Sequence, residues 1–232
     1  TSTTSIHKII IIMSKEDIIK KYNIKIIEPK EGVVPTGITI FLPGTLLSLK
    51  DYSSTYNVIV EEQHQIVIGF EKMNPFSICG GRTHQRMAED VASMVQEFRS
   101  LKEYNLSSLT KYNMVGHSLG GKVALLVAAK YDIPHVKTIV ALDPVDDKPR
   151  ELTAPDLNSR TNLENSQAKE IHLFQSAKGG DGWIPLCPSD RNATVIQNMY
   201  PKQITSLTIN QGAGHMSYKD TTNDEASVQC RE

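Results

Sequence analysis

Near-continuous apolar runs alternate with amphipathic helical patterns along this chain of 232 residues, and no other feature of the sequence constrains the fold as strongly. The runs TGITIFLPG and QIVIGFE are rich in β-branched residues and contain Gly or Pro at their ends, which is typical of buried strands. Strands are predicted near 37–42, 65–70, 111–115, 136–142, 170–177 and 204–210. Helices are predicted after Ser14, from Leu49 to Val60, near 83–102 and 119–130, and after His215. This order predicts an α/β fold, with a mostly parallel central sheet and helices on both of its faces.

Composition and charge restrict the classes of partner. With 39% hydrophobic and 22% charged residues, the chain has the composition of one globular domain with a sizeable core. Its formal net charge of −1 gives no reason to expect a nucleic-acid partner. Cys79, Cys187 and Cys230 are too few and too scattered to predict a metal site or a disulfide framework. Free thiols are favoured over a single bridge between Cys187 and Cys230.

The domain organisation is predicted to be simple. Residues 1–13 (TSTTSIHKIIIIM) are rich in hydroxyl groups and lack acidic residues, so they are predicted to be a leader or the remnant of a targeting segment. The alternative is an edge strand formed by Ile9–Ile12. From Ser14 the sequence SKED fits a helix-capping box, and no linker or repeat interrupts the chain beyond it. Residues 14–232 are therefore predicted to form a single domain.

The sequence GHSLGG at 116–121 joins a predicted strand to a predicted helix. In such a sharp turn a serine hydroxyl is raised above the carboxyl edge of the sheet, and small residues on either side avoid a clash between strand and helix. Gly116 and Gly120 supply these small residues around Ser118, and the helix N-terminus favours a developing negative charge. The pattern therefore predicts that Ser118 is a nucleophile. His117 is expected to pack or to line the pocket, because adjacent side chains in this turn point apart.

A serine hydroxyl needs a base, and the base needs an orienting acid. His215 follows the last predicted strand in the small-residue loop NQGAGHMSY, and the chain order serine, acid, histidine suits this class of fold. Asp143 ends the strand VKTIVAL, whereas Asp181 follows the next strand, and spacing alone leaves these two candidate acids nearly level.

The remaining part of the site is a pocket for the oxyanion of a tetrahedral intermediate. Its predicted donors are the backbone N–H of Leu119 and that of Thr45 or Leu46, in the turn FLPGTLL. Apolar residues on the predicted loops are candidates for substrate contacts, namely Leu47, Phe76, Trp183 and Ile184.

With these residues in view, the sequence resembles the α/β-hydrolases, and more narrowly the chlorophyllases. Five stretches carry the resemblance: FLPGTLLSLKDYSSTY, GHSLGGK, ALDPVD, LCPSDRNAT and GAGHMSY. Together they span roughly residues 38–220. The first is similar to the family's oxyanion turn and following helix, and the third to its Asp-Pro-Val-Asp segment. The resemblance implies that residues 14–232 form one α/β-hydrolase catalytic domain.

The resemblance also implies an activity. Chlorophyllases hydrolyse the phytyl ester of chlorophyll to chlorophyllide and phytol, and the enzyme requires no cofactor. In that family the catalytic acid lies in the Asp-Pro-Val segment, which favours Asp143 over Asp181, while Ser118 and His215 match the nucleophile and base. A chloroplast location, in soluble or peripheral form, and contact with pigment-bearing membranes are expected on the same grounds.

Three alternatives stay open on the sequence alone. The first is a carboxylesterase or lipase of broad specificity, acting on another apolar long-chain ester. The second is a protein that binds a pigment on the same fold without turnover, although such a protein has no need of all three catalytic side chains. The third is transfer of the acyl group to an alcohol instead of water.

Overall fold

The computed structural model describes residues 13–45, 47–73, 84–101, 112–131, 136–145, 163–166, 168–178 and 192–220. Several of the sequence predictions lie outside these ranges: the leader and its alternative edge strand at 9–12, the three cysteines, and the candidate site residues Leu46, Phe76, Asp181, Trp183 and Ile184.

Within these ranges, seven strands form one sheet in the order β1-β3-β2-β4-β5-β6-β7. They are β1 (Ile24–Ile27), β2 (Gly37–Leu42), β3 (Gln65–Phe70), β4 (Tyr112–His117), β5 (Val136–Leu142), β6 (Glu170–Lys178) and β7 (Ser206–Gly214). Strand β1 pairs antiparallel with β3, and every other pair is parallel. The parallel pairs bring the carboxyl ends of β2, β4, β5, β6 and β7 to the same edge of the sheet, where their connecting loops meet.

The α-helices of the described residues are α1 (Lys15–Tyr22), α2 (Ser53–Glu61), α3 (His84–Arg99), α4 (Leu119–Lys130) and α5 (Asn192–Met199). Short 3-10 helices cover Leu49–Tyr52, Leu163–Asn165 and His215–Tyr218. Ser14 caps α1 through a reciprocal capping box with Asp17, as its sequence predicts. Within these described residues, no helix combines the length and apolar character that crossing a bilayer requires.

Helices cover both faces of the sheet, as predicted. Along β2 the side chains alternate between the faces, so Ile40 packs in the cluster that contains α3 and α4, whereas Phe41 packs in the cluster that contains α2. Strand β2 is consequently buried at every residue, and α4 is buried from Leu119 to Ala128. The buried strand β2 on one side and the buried helix α4 that follows leave little freedom for the turn at Ser118.

Besides the short 3-10 helix at Leu163–Asn165, one strand and one α-helix escape prediction. Strand β1 is only four residues long, and it begins directly after Asn23, which ends α1 in the left-handed conformation with φ 51°. A run this short carries too little periodicity to be distinguished from a loop. Helix α5 is also short, and its first three residues are the last three of the segment LCPSDRNAT, whose Pro, Ser and Asp indicate a loop.

Candidate active site

The turn from β4 into α4 holds Ser118 in a rare backbone conformation. Its φ is 54° and its ψ is −118°, a region that favours glycine. The backbone around it is fixed by hydrogen bonds, because the N–H of Ser118 donates to Leu142 O at 2.9 Å and its carbonyl accepts from Lys122 N at 3.1 Å. Non-glycine residues hold such conformations only where the surrounding structure determines them, and these positions cluster at functional sites.

The two glycines that flank the turn permit a very close approach of backbones. A Cβ atom on Gly116 would lie 2.3 Å from the carbonyl oxygen of Gly120, and one on Gly120 would lie 2.0 Å from that of Leu42. Both distances are far below van der Waals contact. The sequence-based argument that small residues are needed on both sides of Ser118 is therefore confirmed by the packing.

Three side chains are hydrogen-bonded in series at the carboxyl edge of the sheet. Nε2 of His215 lies 2.9 Å from Oγ of Ser118, and Nδ1 of His215 lies 2.6 Å from Oδ2 of Asp143. All three residues are buried. A carboxylate accepts only, so Nδ1 carries a proton that it donates to Asp143, and in the neutral ring Nε2 is left free to accept from the serine hydroxyl. This is the protonation state that a general base requires.

The three residues come from different strand ends. Ser118 follows β4, Asp143 follows the adjacent strand β5, and His215 follows β7, where the chain turns into a 3-10 helix. Asp143 has a positive φ of 44°, and its backbone N–H donates to Phe174 O at 2.8 Å. The structure therefore places Asp143, the acid favoured by the family resemblance, against His215.

The carboxylate of Asp143 is held by a second residue that the sequence did not identify. Ser176, near the end of β6, donates its backbone N–H to Oδ1 at 3.0 Å and its hydroxyl to Oδ2 at 2.7 Å. Burial opposes ionisation of Asp143, but the hydrogen bonds from His215 and Ser176 outweigh it and lower the pKa of the carboxyl below its ordinary value. The acid is thus kept as a carboxylate, ready to stabilise a protonated imidazole.

His117 lies beside the nucleophile but points away from it. Its ring is fully buried, with Nδ1 2.7 Å from Oη of Tyr52 and Nε2 2.8 Å from the carbonyl oxygen of His215. Burial, followed by the charge of His215, lowers the pKa of His117 to about 3. No sequence signal indicates the Tyr52 contact, because 65 residues separate the partners. The expectation that His117 packs in the interior holds, and the contacts with Tyr52 and His215 add to it.

The turn after β2 lies next to the serine, where the anion pocket is predicted. A Cβ on Gly44 would lie 3.3 Å from Cβ of Ser118, and Thr45 forms an isolated parallel bridge with Met73. Leu119 is the first residue of α4, so its N–H has no acceptor within the helix. Leu47 is half-buried and packs against the cluster around Phe41. The predicted pocket residues Thr45, Leu47 and Leu119 thus belong to segments that border Ser118.

The part of the chain that the structure describes offers no set of side chains that could bind a metal ion. There, no three His, Cys, Asp or Glu side chains converge into a group that could hold a metal ion. The histidine and carboxylate nearest the serine are instead engaged with each other.

Comparison with known proteins places this site in context. A protein-family model described as alpha/beta hydrolase fold matches residues 80–200, which is more than half of the chain and includes both Ser118 and Asp143. No curated protein matches the sequence.

Solved structures show the same fold at low sequence identity. A lipase-esterase related protein from Clostridium acetobutylicum is 13% identical, with a TM-score of 0.56 over 83% of this chain and 92% of that one. Dienelactone hydrolase from Anabaena variabilis is 15% identical, with a TM-score of 0.57 over 89% and 85%. An alpha/beta hydrolase enzyme from a Medee basin deep-sea metagenome library is 12% identical, with a TM-score of 0.58 over 83% and 78%.

Proposed function

The chain belongs to the alpha/beta hydrolase fold family, and from this we propose that it is a serine ester hydrolase that cleaves the phytyl ester of chlorophyll. The observation that carries the proposal is the hydrogen-bonded series of Ser118, His215 and Asp143, with distances of 2.9 Å and 2.6 Å. A buried serine whose hydroxyl meets an oriented imidazole is the arrangement that acyl transfer to a serine needs.

In the first half of the proposed reaction, Nε2 of His215 takes the hydroxyl proton of Ser118 as Oγ attacks the ester carbonyl carbon. The oxyanion that forms would accept hydrogen bonds from the backbone N–H of Leu119 and from that of Thr45 or Leu46, and losing one such donor typically costs about 3–4 kcal/mol of barrier. When the tetrahedral intermediate collapses, the ester C–O bond breaks and the alcohol leaves with the proton from His215. The acyl group stays on Ser118.

In the second half, His215 takes a proton from water, and the resulting hydroxide attacks the acyl-enzyme carbonyl. Collapse breaks the bond to Oγ of Ser118, which recovers its proton from His215. Asp143 orients the imidazole and stabilises its cation through both steps, without taking the proton itself. The lowered pKa of Asp143 suits this role, because the residue must stay ionised while the ring beside it becomes charged.

The substrate class in this proposal rests on the sequence resemblance. With chlorophyll, the acyl group on Ser118 would be the propionyl side chain of the tetrapyrrole, and phytol would be the leaving alcohol. A plastid location and peripheral contact with pigment-bearing membranes belong to the same proposal. The rival function is a carboxylesterase that prefers simpler esters, and the same three catalytic side chains would serve it equally well.

Product analysis tests the proposal directly. Purified protein is incubated with chlorophyll a and, separately, with a p-nitrophenyl ester, and chromatography identifies chlorophyllide and phytol. Ser118→Ala is the inactive variant, and Ser100→Ala, which removes an exposed hydroxyl at the end of α3, is its matched control. Chlorophyllide from wild type and Ser100→Ala, but not from Ser118→Ala, supports the full proposal. Cleavage of the nitrophenyl ester alone retains the serine hydrolase and rejects the pigment, and turnover of neither substrate rejects both.

A further inference from the structure

Four groups form a buried hydrogen-bonded series behind the reactive serine. The backbone N–H of Gly44 donates to Oη of Tyr52 at 3.0 Å, and Oη lies 2.7 Å from Nδ1 of His117. On the other side of the same ring, Nε2 lies 2.8 Å from the carbonyl oxygen of His215. Tyr52 and His117 are both fully buried.

The groups at the two ends of this series, the N–H of Gly44 and the carbonyl of His215, determine the direction of every hydrogen bond between them. The carbonyl of His215 accepts only, so Nε2 of His117 must carry a proton. The low pKa of His117 keeps the ring neutral, which leaves Nδ1 as an acceptor for the hydroxyl proton of Tyr52. Burial raises the pKa of Tyr52, so the hydroxyl stays protonated, and its lone pair accepts from Gly44. Each donor and each acceptor therefore has one partner and one role.

The series connects parts of the site that come from separate elements. Gly44 belongs to the turn after β2, next to Thr45, whose N–H is a predicted oxyanion donor. His117 ends β4 immediately before the nucleophile, and His215 carries the imidazole that faces Oγ of Ser118. A shift of any one of these segments would change the distance between the base, the nucleophile and the anion pocket.

We propose that Tyr52 and His117 are positioning residues that fix the backbone of His215 and the turn at Gly44 relative to Ser118. The inference rests on the proposed serine hydrolase function. Neither residue exchanges a proton with substrate in this scheme, because both are fully buried and their polar atoms face protein groups. Their contribution is to hold the reacting groups at distances where a displacement of about 1 Å costs on the order of 100-fold in rate.

Close packing makes the arrangement sensitive to small changes. A Cβ on Gly44 would lie 3.2 Å from Nδ1 of His117 and 3.3 Å from Cβ of Ser118. The ring of His117 also lies against that of His215, with centroids 4.8 Å apart. The turn, the ring of His117 and the base are therefore in direct contact, and loss of the Tyr52 hydroxyl would leave two buried groups, Gly44 N–H and His117 Nδ1, without a partner.

Kinetics of matched variants test the proposal. Tyr52→Phe removes the hydroxyl, and Tyr56→Phe, one helical turn further along in α2, is the control, because the Tyr56 hydroxyl bonds to no residue that the structure describes. Turnover of a p-nitrophenyl ester is measured per active site, counted by labelling Ser118 with a fluorophosphonate, so that misfolded protein does not contribute. We expect kcat of Tyr52→Phe to fall about 10- to 100-fold with KM changed less than about 3-fold. Turnover per labelled site equal to that of Tyr56→Phe would overturn the proposal.

Two substitutions at His117 separate positioning from acid–base chemistry. The amide of His117→Gln offers one acceptor and one donor that do not titrate, whereas His117→Leu has a comparable size and offers neither. Positioning predicts that the Gln variant keeps kcat within about 5-fold of wild type while the Leu variant loses at least 10-fold. Equal impairment of both variants would overturn it.

A spectroscopic measurement applies even where a variant does not fold. In wild-type protein labelled with ¹⁵N-histidine, the inferred network requires one ring in the neutral form with the proton on Nε2, unchanged between about pH 5 and pH 8. A ring assigned to His117 that titrates in this interval, or that carries its proton on Nδ1, would overturn the inference. Absence of fluorophosphonate labelling and of ester turnover in wild type would instead overturn the proposed function, and the two failures are thereby distinguished.

Discussion

Ser176 donates two hydrogen bonds to the carboxylate of Asp143, from its backbone N–H at 3.0 Å and from its hydroxyl at 2.7 Å. The hydroxyl shares Oδ2 with the imidazole of His215, so it limits the directions in which the carboxylate can turn. Ser176 of β6 thus holds the carboxylate of Asp143, which follows β5, in a fixed orientation. The first prediction concerns this contact.

We predict that Ser176→Ala lowers kcat about 3- to 10-fold, because the backbone N–H still holds Oδ1 while Oδ2 keeps only its hydrogen bond from His215. Asp143→Asn should cost about 1,000- to 10,000-fold, because an amide no longer selects the imidazole tautomer that leaves Nε2 free. Both are measured as ester turnover per labelled site. Ser206→Ala, whose hydroxyl pairs with His172 at the start of β7, is the control. Indistinguishable rates for Ser176→Ala and Ser206→Ala would contradict the bracing role.

The second prediction concerns acid stability. His117 has a pKa near 3 in the folded chain against an ordinary value of about 6.5, so the unfolded chain binds a proton there at pH values where the folded chain does not. Stability from this group is fully present above about pH 6.5 and is lost as the pH falls toward 3. Between pH 7 and pH 5, the free energy of unfolding of wild type should fall about 2 kcal/mol further than that of His117→Gln.

Urea unfolding of the two proteins at both pH values measures this difference. His64→Gln, which removes an exposed histidine, is the matched control for loss of an imidazole. An equal pH dependence in wild type and His117→Gln would show that His117 becomes protonated in the folded chain.

The third prediction concerns the glycines that flank the turn at Ser118. A Cβ on Gly120 would lie 2.0 Å from the carbonyl oxygen of Leu42 and 2.7 Å from that of Pro43, so Gly120→Ala must displace backbone. Overpacking of this kind costs about 1–3 kcal/mol, and the displaced segment leads into the Gly44 turn, so kcat should fall as well. Gly212→Ala, at a position with open space around it, is the control for the added methyl group. Urea unfolding that shows no difference between the two variants would refute the close approach.

The fourth prediction concerns the chain that follows His215. Asp220 accepts from the hydroxyls of Ser53 and Ser54, and its own N–H donates to Asp51 O at 2.7 Å. Burial opposes its ionisation, but these serine hydrogen bonds outweigh burial and lower the pKa of Asp220. Asp220→Ala should therefore release the 3-10 helix at His215–Tyr218 from the start of α2 and speed hydrogen exchange of its backbone amides about 10-fold or more.

Hydrogen exchange followed by mass spectrometry measures that release, with ester turnover as the second readout. Asp220→Asn retains an acceptor for one of the serines and should lie between wild type and Asp220→Ala. Unchanged exchange in the 3-10 helix of Asp220→Ala would mean that its other contacts, such as those of His215 with His117 and Asp143, suffice to hold this segment.

The sequence predicts most of the sheet because central strands such as β2 and β3 are buried on both faces and therefore carry strong local signals. Strands β2, β3 and β5 begin and end where the apolar runs do, whereas β4 continues to His117, two residues past its predicted end. The extension has a physical cause, since pairing with β2 continues through Gly116 and pairing with β5 continues through His117. Strand β4 ends where its pairing with the neighbouring strands ends, and local composition does not encode that pairing.

The hydrogen-bonded pair of Ser118 and His215 was also accessible from sequence, since both residues stand in distinctive local motifs. The acid was not accessible from spacing alone. Asp143 and Asp181 both follow strands, and the geometry that brings Asp143 to His215 depends on the order of β5, β6 and β7 in the sheet. Ser176 and Tyr52 carried no signal at all, because their roles depend on contacts over 33 and 65 residues of chain.

Both Ser118 and Asp143 stand at positive φ, where a residue without a side chain would relieve the backbone. Such conformations cost of order 1–3 kcal/mol each, so both residues carry backbone strain that glycine would relieve, although glycine at Asp143 would also lose the hydrogen bonds of its carboxylate. Selection for thermal tolerance alone would therefore act against Ser118, the proposed nucleophile. A variant such as Ser118→Gly should then melt above the parent. The difference in melting temperature would measure the stability that the backbone conformation of Ser118 costs the folded chain.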